Sequence, residues 1–126
     1  MVADFPRVHR PCQECPWKVD AEAGKFPTCR YEQLTATAGA PGAEVWLDAP
    51  IFACHKSPEG GERACAGWLA TVGRDHLGIR MAVITGRLDP VALDPGEGWP
   101  ELHPTYAAMA IANGVDPDDP TLRRCR

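Results

Sequence analysis

No stretch of this sequence is both long and apolar enough to cross a bilayer, which excludes a membrane-spanning helix. Positive charge is not in excess either. Lys and Arg number 13 against 17 Asp and Glu, the formal net charge is −4, and the acidic residues are spread along the chain. Non-specific nucleic-acid binding relies on Lys and Arg to displace counterions, so nucleic acid is not favoured as a partner. The clusters Arg7-Val8-His9-Arg10 and Arg123-Arg124-Cys125-Arg126 read as solvated surface. The opening residues, Met1 to Arg7, lack the basic-then-apolar design of a secretory leader, so the expected location is the cytoplasm. No internal repeat and no domain boundary stand out.

Catalytic motifs are missing as well. Pro11-Cys12-Gln13-Glu14-Cys15 matches the second half of the zinc deaminase signature, whose first half is His-x-Glu. None of the four histidines supplies that half: His9 precedes Arg10-Pro11, His55 precedes Lys56-Ser57, His76 precedes Leu77-Gly78 and His103 precedes Pro104-Thr105. Without the carboxylate there is no general acid or base for deamination. The His-Glu-x-x-His helix, phosphate-binding Gly-rich loops and the nucleophile elbow are also absent. Cys54-His55 does not read as a nucleophile and base, because neighbours on a strand point to opposite faces. No catalytic residue is assigned, and the balance leans away from an enzyme.

What the chain does have is Gly (12), Pro (13) and six cysteines in 126 residues. That Gly and Pro content makes much of the chain loop, and a loop-rich chain with a modest core gains from a staple. In a reducing compartment the staple is a metal in preference to a disulfide.

Closely spaced prolines make residues 1–30 an extended arm of turns. Tyr31, Leu34 and Ala38 then predict a helix over 29–38, with Thr28 as its cap. Residues 44–47 and 51–54 read as a short strand pair, followed by a polar turn over 56–61 that leaves Cys54 and His55 at its lip. Cys65, Trp68, Leu69 and Val72 form one helical face, and Leu77, Met81, Ile84 and Leu88 form a second. Leu102, Tyr106, Met109 and Ala110 form a third, with Pro104 suited to its first turn and Gly114 to its C-terminal cap. The expectation is an α-rich α+β fold in a single metal-binding domain over 1–126. It comprises a loop arm (1–30), a core (31–114) with three or four helices, and an irregular tail (115–126).

Cys12-Gln13-Glu14-Cys15 supplies half of a tetrahedral site from one tight turn. Cys54, ending a strand, and Cys65, starting a helix, are the best-placed candidates for the other half, with His55 as the alternative to Cys54. A closed site of four protein ligands leaves no open position for water, so its role is structural. Zinc is the preferred ion. A [4Fe-4S] cluster is the alternative, since clusters also take four cysteines at irregular spacings with Pro after a ligand, as in Cys15-Pro16. A thiol redox role for Cys12 and Cys15 ranks below either, for want of a βαβ context. Cys29 and Cys125 fall outside the pattern and read as small buried apolar residues. His76 and His103 read as capping or partly exposed side chains.

Three motifs carry a family resemblance: Pro11-Cys12-Gln13-Glu14-Cys15-Pro16-Trp17, Phe52-Ala53-Cys54-His55-Lys56-Ser57-Pro58 and Cys65-Ala66-Gly67-Trp68-Leu69. With looser matches through His76-Leu77-Gly78-Ile79-Arg80 and Met109-Ala110, the chain resembles uncharacterised small cysteine-rich proteins of actinobacteria and their phages. The resemblance implies that Cys12, Cys15, Cys54, His55 and Cys65 belong together, without naming their metal. It also suits a small regulatory or host-directed protein. The expected function is therefore a zinc-stabilised interaction or regulatory module with a protein partner, and the contrasting one is an iron–sulfur or thiol redox sensor.

Overall fold

The computed structural model describes residues 4–24, 26–58 and 60–126. The leader reading at Met1–Ala3 and the positions of Lys25 and Glu59, within the expected arm and the 56–61 turn, lie outside the described residues. Four short α-helices carry the fold: α1 (Thr28–Leu34), α2 (Ala66–Val72), α3 (Leu77–Ile84) and α4 (Tyr106–Ala112). Single turns of 3-10 helix at Thr35–Thr37 and Gly73–Asp75 extend α1 and α2, and others form at Pro90–Leu93 and Pro120–Cys125. Strand pairing among the described residues consists of isolated bridges.

The segments expected to pair as strands do not pair with each other. Val45 bridges His76 in parallel, and Ala53 bridges Ala64 antiparallel. Ala64 also bridges Arg7 in parallel, so this fully buried residue joins extended chain on both sides. Cys54 N–H donates to Arg63 O at 2.7 Å and Cys65 N–H to Phe52 O at 2.8 Å on one side. On the other, Val8 N–H donates to Ala64 O and Ala64 N–H to Pro6 O, both at 3.0 Å. The small side chain at 64 lets three backbones meet at one point. Each of them leads into a cysteine of the candidate site.

The helix starts depart from expectation in detail. Thr28 is the first residue of α1 and makes no cap; Pro27 holds that position with extended backbone. At α4 the cap is Thr105, whose hydroxyl accepts from Ala108 N–H, with Pro104 just before it, and Gly114 closes the helix at φ +108°. His76 does cap α3, accepting from Ile79 N–H, yet it is buried. The predicted inner face of α3 is overturned: Met81 and Ile84 are 46% and 77% exposed, while Ile79 and Ala82 are buried. With apolar residues nearly all round α3, periodicity does not choose the face. Small Ala82 packs closer than a long side chain would. The tail also differs, since Pro120–Cys125 coils into a 3-10 turn that buries Leu122 and Cys125.

The core is aromatic. Trp17, Phe52 and Tyr106 meet edge to face, with centroids 5.8 to 6.2 Å apart. Trp68 donates its indole N–H to Thr37 O at 3.2 Å. Asn113, at the end of α4, donates to Pro16 O at 3.2 Å and fixes the chain just beyond the Cys-x-x-Cys turn.

Candidate metal centre

Cys12 and Cys15 stand on one turn, closed by Cys15 N–H donating to Cys12 O at 3.1 Å. Cys54 begins a second turn, in which Ser57 N–H donates to Cys54 O at 3.0 Å and His55 takes the exposed corner. Cys65 occupies the residue before α2. All four of these cysteines, with His55, line one cavity of about 480 Å³.

Inside it the donors fall into two groups. Cys12 Sγ lies 3.9 Å from His55 Nδ1. One donor atom each from Cys12, Cys54 and His55 lies within 4.8 Å of the others, so these residues are positioned to hold a metal ion. Cys15 Sγ lies 3.7 Å from Cys65 Sγ, both nearly or wholly shielded from solvent. The sequence treats Cys54 and His55 as alternatives because adjacent residues seldom bind one ion. The turn at 54–57 nonetheless brings both within reach of Cys12.

Backbone amides favour negative charge on these sulfurs, although at Cys12 and Cys65 burial and the neighbouring thiols outweigh them. Cys12 receives the N–H of Glu14, Cys15 that of Trp17, and Cys65 that of Gly67, in each case from the residue two positions on. Gly67 N–H also reaches Cys15, and Trp68 N–H reaches Cys65. Hydrogen bonds to a thiolate favour the charged form that a metal requires.

The thiol acidities follow from this arrangement. The Cys15 thiol is held below its ordinary value, first by the hydrogen bond from Cys65 and then by the Trp17 N–H and the Lys18 charge, against the effect of burial. Cys65, the donor of that bond, is pushed well up, with burial adding to the effect. Burial raises Cys12 to about 11, and neighbouring Cys15 and Cys54 add to it. Lys18 Nζ is fixed beside the turn by donating to Gln13 O at 3.0 Å.

Gly67 is a packing requirement of the same site. A Cβ there would fall 2.7 Å from Trp17 Cβ and 3.2 Å from Cys15 Sγ. The remaining cysteines lie elsewhere: Cys125 is buried, its sulfur 3.6 Å from Ala38 O, whereas Cys29 is exposed on α1, contrary to the expectation of burial. Sequence reasoning did not single out Tyr31 as part of the site. It lines the cavity and is 2% exposed, yet its hydroxyl has no hydrogen-bond partner among the described residues. Its helical spacing with Leu34 marks it only as core.

Among the described residues no helix is long and apolar enough to cross a membrane. No curated protein and no solved structure matches the chain. A family model does, over residues 7–126, a span that takes in every residue of the centre. The chain belongs to that family, a family of unknown function (DUF6283).

Proposed function

We propose that this protein is a zinc-stabilised interaction or regulatory module of the cytoplasm, folded as a single domain around Cys12, Cys15, Cys65 and either Cys54 or His55. The observation that carries the reading is the convergence of Cys12, Cys15, Cys54, His55 and Cys65 on one cavity, with donor atoms of Cys12, Cys54 and His55 within 4.8 Å of one another. Cysteines acting only as small apolar residues have no need to gather around a histidine. A tetrahedral ion with metal–sulfur bonds of about 2.3 Å sets two thiolates roughly 3.8 Å apart. The Cys15–Cys65 separation of 3.7 Å supports the reading that the two share an ion. The presence of His55 beside the thiols favours zinc, which accepts mixed sulfur and nitrogen ligands.

With four protein ligands the ion is closed to water and serves the fold. Function then falls to the surface, where Trp46 and Ile84 are 66% and 77% exposed and suit a protein partner. The resemblance to proteins of actinobacteria and their phages suits a host-directed regulator.

The iron–sulfur alternative has its own support in the cavity of about 480 Å³, which exceeds the needs of one ion, and in Pro16 following Cys15. Metal analysis of anaerobically purified protein separates the two. Colourless protein with stoichiometric zinc supports the first; brown protein with iron and acid-labile sulfide supports the second. Cys15→Ala is expected to lose the metal and Cys125→Ala to keep it. Equal metal content in the two variants refutes the ligand assignment.

A further inference from the structure

A buried hydroxyl without a partner costs free energy unless something in its surroundings accepts the bond. Among the described residues the buried side-chain polar atoms without a partner are Trp17 Nε1 and Tyr31 Oη. Of these residues Tyr31 lines the cavity with Cys12, Cys15, Cys54, His55 and Cys65. Its ring is fixed from several directions. Phe26 packs edge-on against it at 6.5 Å and in turn lies 5.1 Å from the His55 ring, and Tyr106 Oη donates to Tyr31 O at 2.6 Å. Tyr31 thus stands in the cavity wall with a buried hydroxyl that has no partner among the described residues.

We infer that Tyr31 Oη donates a hydrogen bond to a ligand sulfur when the centre is loaded, an inference that rests on the metal-binding reading above. The sulfurs of Cys12, Cys15, Cys54 and Cys65 belong to residues lining the same cavity, and a metal-bound thiolate still accepts hydrogen bonds. Tyr31 is then a positioning residue that acts on the metal through one of these sulfurs. Groups that support a ligand in this way commonly change metal affinity by roughly 10- to 100-fold.

The test compares the wild-type chain with Tyr31→Phe, which keeps the ring, and with Cys125→Ala as a packing control at a buried residue outside the cavity. Zinc affinity is read by chelator competition, and the sulfur-to-cobalt charge-transfer band is read after cobalt substitution. Tyr31→Phe is expected to bind zinc roughly tenfold more weakly and to move the band to longer wavelength, because a sulfur that has lost a donor gives up its electrons more readily. Cys125→Ala should leave the band in place. A Tyr31→Phe protein with affinity within twofold of wild type and an unmoved band overturns the inference and leaves the metal reading standing. An equal band shift in both variants also overturns it, as a packing effect. Wild-type protein that binds neither zinc nor cobalt overturns both. Should Tyr31→Phe fail to fold, cadmium-113 NMR of the wild type decides. A tyrosine hydroxyl proton coupled to the metal supports the bond, and its absence refutes it.

Discussion

Replacing Gly67 by Ala places one methyl group where the structure has no room. The new Cβ would stand 2.7 Å from Trp17 Cβ, 3.1 Å from Trp17 Cγ and 3.2 Å from Cys15 Sγ. Neither neighbour can retreat easily, since Trp17 and Cys15 are 0% and 1% exposed. Overpacking of this kind costs about 1–3 kcal/mol, and exchanging Gly for Ala in a helix returns up to about 1 kcal/mol. The net loss is about 1–2 kcal/mol, or roughly 3–8 °C in Tm for a chain of this size. Because the displaced atoms include the Cys15 sulfur, zinc affinity should also fall, roughly tenfold. Gly42→Ala is the control: its φ of +84° strains any side chain, but nothing lies within 4 Å of the added carbon. It should cost about 1 kcal/mol and leave zinc binding alone. Thermal unfolding and chelator competition on both variants decide the matter. If Gly67→Ala matches wild type in zinc affinity while Gly42→Ala does not, the packing of α2 against the Cys-x-x-Cys turn is not what holds Cys15.

Zinc binding should weaken steeply on acidification, because Cys12, raised to about 11, and Cys65, raised well above the ordinary value, each give up a full proton to bind at neutral pH. Two protons released correspond to an apparent affinity falling about 100-fold per pH unit on going down; competition titrations at several pH values that yield fewer than two protons exclude one of the pair as a ligand. His76→Ala removes a buried imidazole whose Nδ1 accepts from Ile79 N–H at 3.3 Å while Nε2 donates to Ala49 O at 3.0 Å. A loss of about 2–4 kcal/mol in urea unfolding is expected, and one below about 1 kcal/mol contradicts that bonding role.

What could be read from the sequence was local. Cys12 and Cys15 stand on a single turn, so their spacing alone places them side by side, and the α2 face of Trp68, Leu69 and Val72 is buried as its period implies. What could not be read depends on distant chain. Met81 and Ile84 follow a helical period, yet α3 buries Ile79 and Ala82, since the choice among apolar faces is made by the neighbours. The strand-like residues 44–47 and 51–54 were legible as extended, but their partners, His76 and Ala64, were set by packing elsewhere. Cys125 lies buried against Ala38 O because the tail coils under the turn that follows α1, an arrangement no local pattern announces. Tyr31 shows the same limit: its period marked it as core, and only the structure shows that it lines the cavity and that its buried hydroxyl has no partner among the described residues.

The clasp at Ala64 governs which changes of chain length this architecture can absorb. Residues 60–63 are solvent-exposed and sit between Cys54 and Cys65 without pairing to other elements beyond Arg63, so added residues there would cost only the slow logarithmic entropy of a longer loop. A single residue inserted between Ala53 and Cys54, or between Ala64 and Cys65, would turn the sulfur to the opposite side of its backbone. The interval between Cys54 and Cys65 can therefore change in length, but hardly at all in how each of these cysteines follows its bridge.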